Sequence, residues 1–354
     1  MVAPSLETPK TRSSMKVAVV ILNYNGKRFL EEFLPNVIAN CDPVYTEVVV
    51  ADNASTDDSV AFMREHFPCI RLIENDSNGG FATGYNVALR QVEADYYVLL
   101  NSDIEVAPNW IEPVIAMMDA DPQIAACQPK ILSYYDKEKF EYAGASGGFI
   151  DKYGYPFCRG RVFQNLETDE HQYDDPMEVF WATGACMFVR ADLYHQIGGL
   201  DDSFFAHMEE IDLCWRLKNA GYKVYCCPQS RVYHIGGGTL PKNSPRKTYL
   251  NFRNNLSLLV KNLPKQRVHR TIFYRILLDW VAAFKFLFEG CPKDFQMVFK
   301  AHWDFYKRLK SLREYRKGSD HKMVSCIYKR NIVFDSVIRG KKKYSELRPE
   351  DFSE

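Results

Sequence analysis

Residues 17–22 read VAVVIL, an uninterrupted apolar and mostly β-branched run that stops at Asn23-Tyr24-Asn25-Gly26. So short a run without polar alternation is a strand covered on both faces, and the Asn/Gly cluster closes it with a turn. The same punctuation recurs. Strands are expected at 47–51, 70–74 and 96–100, alternating with helices at 27–38, 57–65 and 84–92. This spacing predicts an α/β chain built on a Rossmann-like, mostly parallel sheet with flanking helices, in which ligands gather at the carboxyl ends of the strands. The loops at those ends, 23–26, 52–56 and 101–103, are rich in short polar side chains.

After about residue 125 the pattern loosens into short strands and Gly-rich loops, as expected of a half that receives a second substrate. A helix is expected at 208–219, a short strand at 223–226, and then a loop ending in His234 and Gly236-Gly237-Gly238. Beyond Lys242 the chain becomes helical, aromatic and basic. The reading divides the 354 residues into a disordered leader (1–15), a catalytic domain (16–245) and a helical C-terminal region (246–354). Lys plus Arg equals Asp plus Glu at 45 each, so no overall field points to nucleic acid. The ten cysteines contain no Cys-x-x-Cys pair, which argues against a zinc site or disulfide framework and fits a reducing, cytoplasmic compartment. The most apolar late stretch, 272–288, is interrupted by Arg275, Asp279 and Lys285, too many charges for a membrane span.

Five features carry chemistry. In VVVADNASTDDS, Asp52, Asn53 and Ser55 emerge from a strand end, able to hydrogen-bond a base and ribose or simply to cap the next helix. Asn78-Gly79-Gly80 offers bare backbone amides near a helix start, an anion site or an ordinary loop. The strand ending in Asn101-Ser102-Asp103 delivers a carboxylate suited to a hard divalent cation, or a turn-forming Asp. Glu209 and Glu210 open a helix, either complementing its dipole or supplying a general base for an attacking hydroxyl. His234, followed by three glycines after Ile235, is a second ligand for the Asp103 cation or a structural histidine.

Taken in order, VVILNYNG, VVADNAST, NGGFATGYN, VLLNSD, WATGACMFVR, EEIDLCWR and VYHIGGG resemble the inverting glycosyltransferases of family 2, over roughly residues 17–255. The resemblance implies a GT-A fold and a nucleoside-diphosphate sugar donor. By it, Asn23, Asp52 and Asn53 hold the nucleoside, while Asn78, Gly80 and Asn86 lie along the diphosphate and sugar. Asn101-Ser102-Asp103 is the variant of the Asp-x-Asp metal motif, with Asp103 and His234 as direct ligands of manganese or magnesium. Glu210 is the base, although relatives usually show Glu-Asp where this chain has Glu209-Glu210. Trp181, Thr183, Gly184 and Ala185 match the segment lining the acceptor side.

The stretch TYLNFRNN resembles a Tyr-x-x-x-Arg-Asn sequence in bacterial, rhamnosyltransferase-like members that build surface polysaccharide, with a glycan or lipid-linked acceptor. Arg253 faces the donor diphosphate or caps a helix, and both remain open. Phe273, Leu277, Trp280, Phe284 and Phe288 recur at helical spacing among basic residues, either packing on the catalytic domain or making peripheral contact with the inner face of a membrane. Two other classes compete. One is sugar nucleotidyl transfer, whose Gly-rich basic triphosphate loop is missing here. The other is a binding module that keeps the fold without catalysis.

Overall fold

The computed structural model describes residues 15–236, 244–317 and 321–354. The expected leader lies outside these except for Met15, and so do Gly237 and Gly238. The first half follows the predicted alternation: β1 (Met15–Asn23), α1 (Lys27–Ala39), β2 (Thr46–Asp52), α2 (Ser59–His66), β3 (Arg71–Glu74), α3 (Gly80–Leu89) and β4 (Ala94–Asn101). β1 lies between β2 and β4, parallel to both, with Val19 opposite Val48 and Val98. Val17 through Val20 are fully buried, which explains the missing alternation. Each of the three valines contributes about 1.5–3 kcal/mol by leaving water.

The chain continues through β5 (Ile104–Val106), α4 (Glu112–Ala120), β6 (Ile124–Ser133), β7 (Gly148–Asp151), β8 (Pro156–Cys158), β9 (Arg161–Val162), β10 (Asn165–Leu166), β11 (Met177–Val179), β12 (Cys186–Arg190), α5 (Ala191–Gln196), α6 (Glu209–Asn219) and β13 (Lys223–His234). The main sheet runs β3-β2-β1-β4-β12-β6-β13-β11, with β5 pairing the end of β13. It is parallel over its first four strands and mixed beyond them, because β12 runs antiparallel to both β4 and β6.

Two boundaries differ from expectation. α3 begins at Gly80 rather than residue 84, because Gly80 adopts φ +85 and admits the carbonyl of Phe205, whose oxygen accepts from Phe81 N at 2.7 Å. β13 does not stop at Cys226. Pro228 cannot donate to the ladder, so the register shifts between Cys227 and Arg231 and the strand resumes to His234.

The C-terminal region holds α7 (Pro245–Asn262), α8 (Lys265–Phe288) and α9 (Pro292–Tyr315), with Leu256, Val260, Phe305 and Leu312 as their shared core. Residues 321–354 depart from the helical expectation. They supply β14 (Ile327–Tyr328) and α10 (Ile332–Val337), and β14 joins the smaller sheet β10-β9-β8-β7-β14 parallel to β7. Phe352 packs on Phe149 at 5.3 Å, and Asp151 at the end of β7 accepts from Ile332 N at 3.0 Å.

Candidate active site

β1, β2 and β4 end side by side, so the sheet register alone assembles one rim of the site, with Asn23 opposite Asp52 and Leu22 opposite Asn101. Asn23 Nδ2 donates to Asp52 Oδ1 at 3.1 Å and to Ser55 Oγ at 3.3 Å, while Asp52 Oδ2 accepts from Ser55 N at 2.8 Å. Asp52 thus shapes the loop and does not cap α2. The N-cap residue of α2, Asp58, makes no side-chain cap bond, and the preceding Asp57 accepts from Ser59 N at its Oδ1. Asn23 Oδ1 is covered yet unpartnered, an acceptor that costs free energy unless a ligand or water reaches it.

Asn53 Nδ2 donates to Asn78 Oδ1 at 3.0 Å and to the Gly80 carbonyl at 3.1 Å, and Gly80 N donates to Asn78 Oδ1. This network ties the end of β2 to the start of α3. Asn86 behaves differently from the expectation that it lines the diphosphate and sugar. Its Nδ2 donates to the Leu200 carbonyl and Asp202 Oδ1, and its Oδ1 accepts from Tyr194 OH and Leu200 N. With both atoms engaged inside the protein, Asn86 anchors α3 to the 200–202 turn.

Asn101 N donates to the Ala185 carbonyl, and Ser102 approaches Gly26 at the same rim. Asp103 lies just past β4, before β5. Because β5 pairs with the end of β13, Ile104 sits opposite His234, which brings Asp103 Oδ1 to 3.2 Å from His234 Nε2. The other ring nitrogen, Nδ1, lies 3.0 Å from Glu141 Oε2, a residue that sequence reasoning missed because it sits in an irregular loop with no motif around it. Burial opposes charge on all three, but the mutual bonds and charges prevail. They hold Asp103 and Glu141 below the usual carboxylate range and raise His234 to about 10.

Asp103 and His234 are the residues that would hold a divalent cation here, the carboxylate being the ligand that suits manganese or magnesium. Among the described residues no group of three or more His, Cys, Asp or Glu side chains could hold an ion. A cation here would therefore complete its coordination with phosphate oxygens and water.

Glu209 and Glu210 open α6. Burial pushes both carboxyls up. Glu209 goes well above the usual range, with the charge of Glu210 adding to the effect, and Glu210 reaches about 7. Although Glu210 is partly exposed as a residue, its Oε2 is covered and without a hydrogen-bond partner, as is Oε2 of Glu209. Gly184 faces this pair, since a Cβ on it would meet Phe81 at 3.0 Å and Glu210 Cβ at 3.7 Å. Thr183 N donates to Gln128 Oε1, Ala185 N donates to Thr183 Oγ1, and Trp181 Nε1 donates to the Phe149 carbonyl over Gly148. The 181–185 segment is therefore a fixed wall between the two sheets.

The backbone leading into α6 is unusual, with Phe205, His207 and Met208 all left-handed at φ 66, 68 and 76. Of the two readings of Arg253, the structure supports the cap: its guanidinium closes the C-terminal end of the 3-10 turn Asp202–Phe204. Its Nη2 donates to the carbonyls of Ser203 and Phe204, at 3.3 and 3.1 Å.

Comparison with known proteins identifies the family and the fold. The family model described as "Glycosyl transferase family 2" matches residues 18–198, more than half of the chain. N-acetylglucosaminyl-diphospho-decaprenol L-rhamnosyltransferase of Mycobacterium tuberculosis is 28% identical over 232 residues, covering 61% of this chain and 75% of that protein. Rhamnosyltransferase WbbL of Escherichia coli (strain K12) is 24% identical over 231 residues, covering 62% and 83%. Among solved structures, GalNAc-T7 with UDP, GalNAc and Mn2+ aligns at a TM-score of 0.56 and 16% identity, over 88% of this chain and 58% of that one. The mannosyltransferase PcManGT of Pyrobaculum calidifontis, with GDP-Man and Mn2+, aligns at 0.51 and 18%, over 89% and 88%. The structural likenesses establish a GT-A fold, and the family match displaces the nucleotidyl-transfer and binding-module alternatives. With the fold, the order of motifs and the family model in agreement, the chain belongs to glycosyl transferase family 2 and is a glycosyltransferase.

Proposed function

We propose that the chain transfers a sugar from a nucleoside-diphosphate donor to an acceptor hydroxyl by one in-line displacement with inversion, with Glu210 as the base. The observation that carries this reading is the buried carboxylate pair opening α6 beside Gly184. Burial and the neighbouring charge push the Glu209 carboxyl well above the usual carboxylate range, while Glu210 is raised to about 7 and has an unpartnered oxygen to receive a proton. As the acceptor oxygen bonds to the anomeric carbon, its proton passes to Glu210, and the bond from that carbon to the diphosphate breaks with its electron pair leaving on phosphate. Only one carboxylate acts on the sugar, so no covalent glycosyl-enzyme forms.

Asn23, Asp52 and Asn53 are assigned to the nucleoside, Asn78 and Gly80 to the diphosphate, and Trp181, Thr183, Gly184 and Ala185 to the acceptor side. Asp103 and His234 would hold manganese or magnesium, which when bound supplies positive charge to the leaving diphosphate. Solved family-fold neighbours carry Mn2+ beside UDP or GDP-Man, which supports this assignment.

The acceptor is assigned as a glycan or lipid-linked sugar met at the cytoplasmic face of a membrane. Along α8, Phe273, Leu277, Val281, Phe284 and Phe288 follow i, i+4, i+8, i+11, i+15 spacing and are exposed, Val281 at 68% and Phe288 at 86%. Arg267, Arg270 and Lys285 on the same helix are exposed as well, and cations beside an apolar stripe suit an anionic lipid surface. The inner faces of α7 and α9 pack, so packing and surface contact fall on different sides of one helical layer. Among the described residues no helix is long and apolar enough to cross a membrane.

The function is tested by nucleoside diphosphate release from uridine-, deoxythymidine- and guanosine-linked sugars, rhamnose included, with manganese or with a chelator. Metal-dependent release from one donor class is expected. Release from the preferred donor that persists unchanged in chelator refutes the metal assignment.

A further inference from the structure

The loop that delivers the carboxylate pair cannot hold its own shape. Non-glycine residues rarely adopt left-handed backbone, and Phe205, His207 and Met208 do so within four positions. Such a conformation persists only where surrounding contacts over-determine it. Those contacts come mainly from α7. Asn254 Nδ2 donates to the carbonyls of Phe204, Ala206 and His207 at 3.0, 3.0 and 2.8 Å. Its Oδ1 accepts from Arg253 Nε at 2.9 Å, which fixes the direction of the amide, and Arg253 itself holds the Ser203 and Phe204 carbonyls. Arg308 of α9 adds a bond to Ser203 O at 2.9 Å. On its other side the loop gives the Phe205 carbonyl to Phe81 N at the start of α3.

We propose that Asn254, oriented by Arg253, is a positioning residue for catalysis: it sets the left-handed loop that aims Glu210 at the acceptor and seats the start of α3 against the donor. It touches neither substrate. The inference rests on Glu210 being the base, and it assigns α7 a part in the reaction that its position outside the first half of the fold would not suggest. No apolar side chain and no carboxylate at position 254 can donate to three carbonyls. Asp at that position would turn negative oxygen toward them.

The test compares Asn254→Asp, Arg253→Lys and Arg308→Ala with Glu210→Gln, measuring kcat, donor KM, the pH profile of kcat and the melting temperature of each full-length variant. For Asn254→Asp, kcat is expected to fall about 10- to 100-fold, the scale of a misplaced reacting group, while donor KM moves less than about threefold. The acid limb of the pH profile is expected to move to lower pH, because a relaxed loop lets water reach the Glu210 carboxyl, whose ionisable neighbours are Glu209 and the buried Cys214. Arg253→Lys should shift the same readouts the same way, and Arg308→Ala should do so more weakly.

Unchanged kcat and pH limb in Asn254→Asp and Arg253→Lys, beside a lowered melting temperature, would reduce the residue to a structural tie and overturn the proposal. If Asn254→Asp does not fold, the two arginine variants decide by the same criteria. Full transfer by Glu210→Gln would instead remove the base assignment, a failure that the control separates from failure of the clamp.

Discussion

Replacing Glu210 by Gln probes the site in two independent ways. In the native protein the Glu210 carboxyl sits near 7 because burial disfavours its charge, against an ordinary value of 4.5. Its ionised fraction therefore rises from about one tenth at pH 6 to about nine tenths at pH 8, so kcat should rise roughly tenfold over that range. Glu210→Gln should lower kcat by about 10²- to 10⁴-fold and abolish this limb while leaving donor binding intact.

Stability supplies the second reading. A carboxyl whose folded pKa is raised stabilises the fold when protonated and loses that contribution as pH rises from about 4.5 through 7. Between pH 5 and pH 8 the native protein should lose about 2–3 kcal/mol that Glu210→Gln does not, and comparing variants at both pH values cancels any fixed cost of the amide. Denaturant unfolding measures the difference, and single-turnover transfer measures the rate. A pH-independent stability gap, or a native kcat flat from pH 6 to 8, would refute the claim that a buried, unpartnered carboxylate is the base.

Three further outcomes follow from the geometry. Asp103→Ala should weaken manganese-supported donor binding about 10- to 100-fold by calorimetry while leaving metal-free nucleotide binding little changed, and normal metal dependence would remove Asp103 as a ligand. Gly80→Ala places a side chain on a left-handed backbone against the Phe205 carbonyl, so it should cost more than about 1 kcal/mol and lower donor affinity; a variant as stable as the native protein would show that the contact is slack. Val281→Glu with Phe284→Glu should reduce sedimentation with vesicles rich in anionic lipid without altering transfer to a soluble acceptor, and equal sedimentation would exclude α8 as the contact.

How much of this was legible in the sequence depended on whether neighbours in space were also neighbours in sequence. The buried strands of the first half announced themselves because residues 17–22 need no partner to be read as covered on both faces. Asp103 and His234 were readable as a possible pair from their residue types, but not as neighbours, since β13 continues past its Pro228 bulge to bring them together, and bulges leave no periodic trace. Glu141 could not be found at all, because its role is set by the ring nitrogen it meets. Asn86 looked like a ligand in the motif NGGFATGYN, yet tertiary contacts with Tyr194 and Leu200 claim both of its polar atoms. Arg253 stood out by motif, but its partners lie about 50 residues away in a loop whose left-handed backbone carries no glycine to betray it.

The pairing of β14 with β7 also has a meaning in time. Ile150 pairs with Pro156 of β8 on one side but on the other only with Ile327, so the smaller sheet, against which the Trp181 wall is braced, cannot be completed until nearly the whole described chain has been made. At about 5–20 residues per second of synthesis, that is a wait of roughly 10–35 s after β7 has emerged. The first half, with its consecutive parallel strands, can fold during that interval. Donor-side surfaces are thus expected to mature before acceptor-side ones, and a stalled ribosome should hold a chain that can begin to bind nucleotide long before it can transfer a sugar.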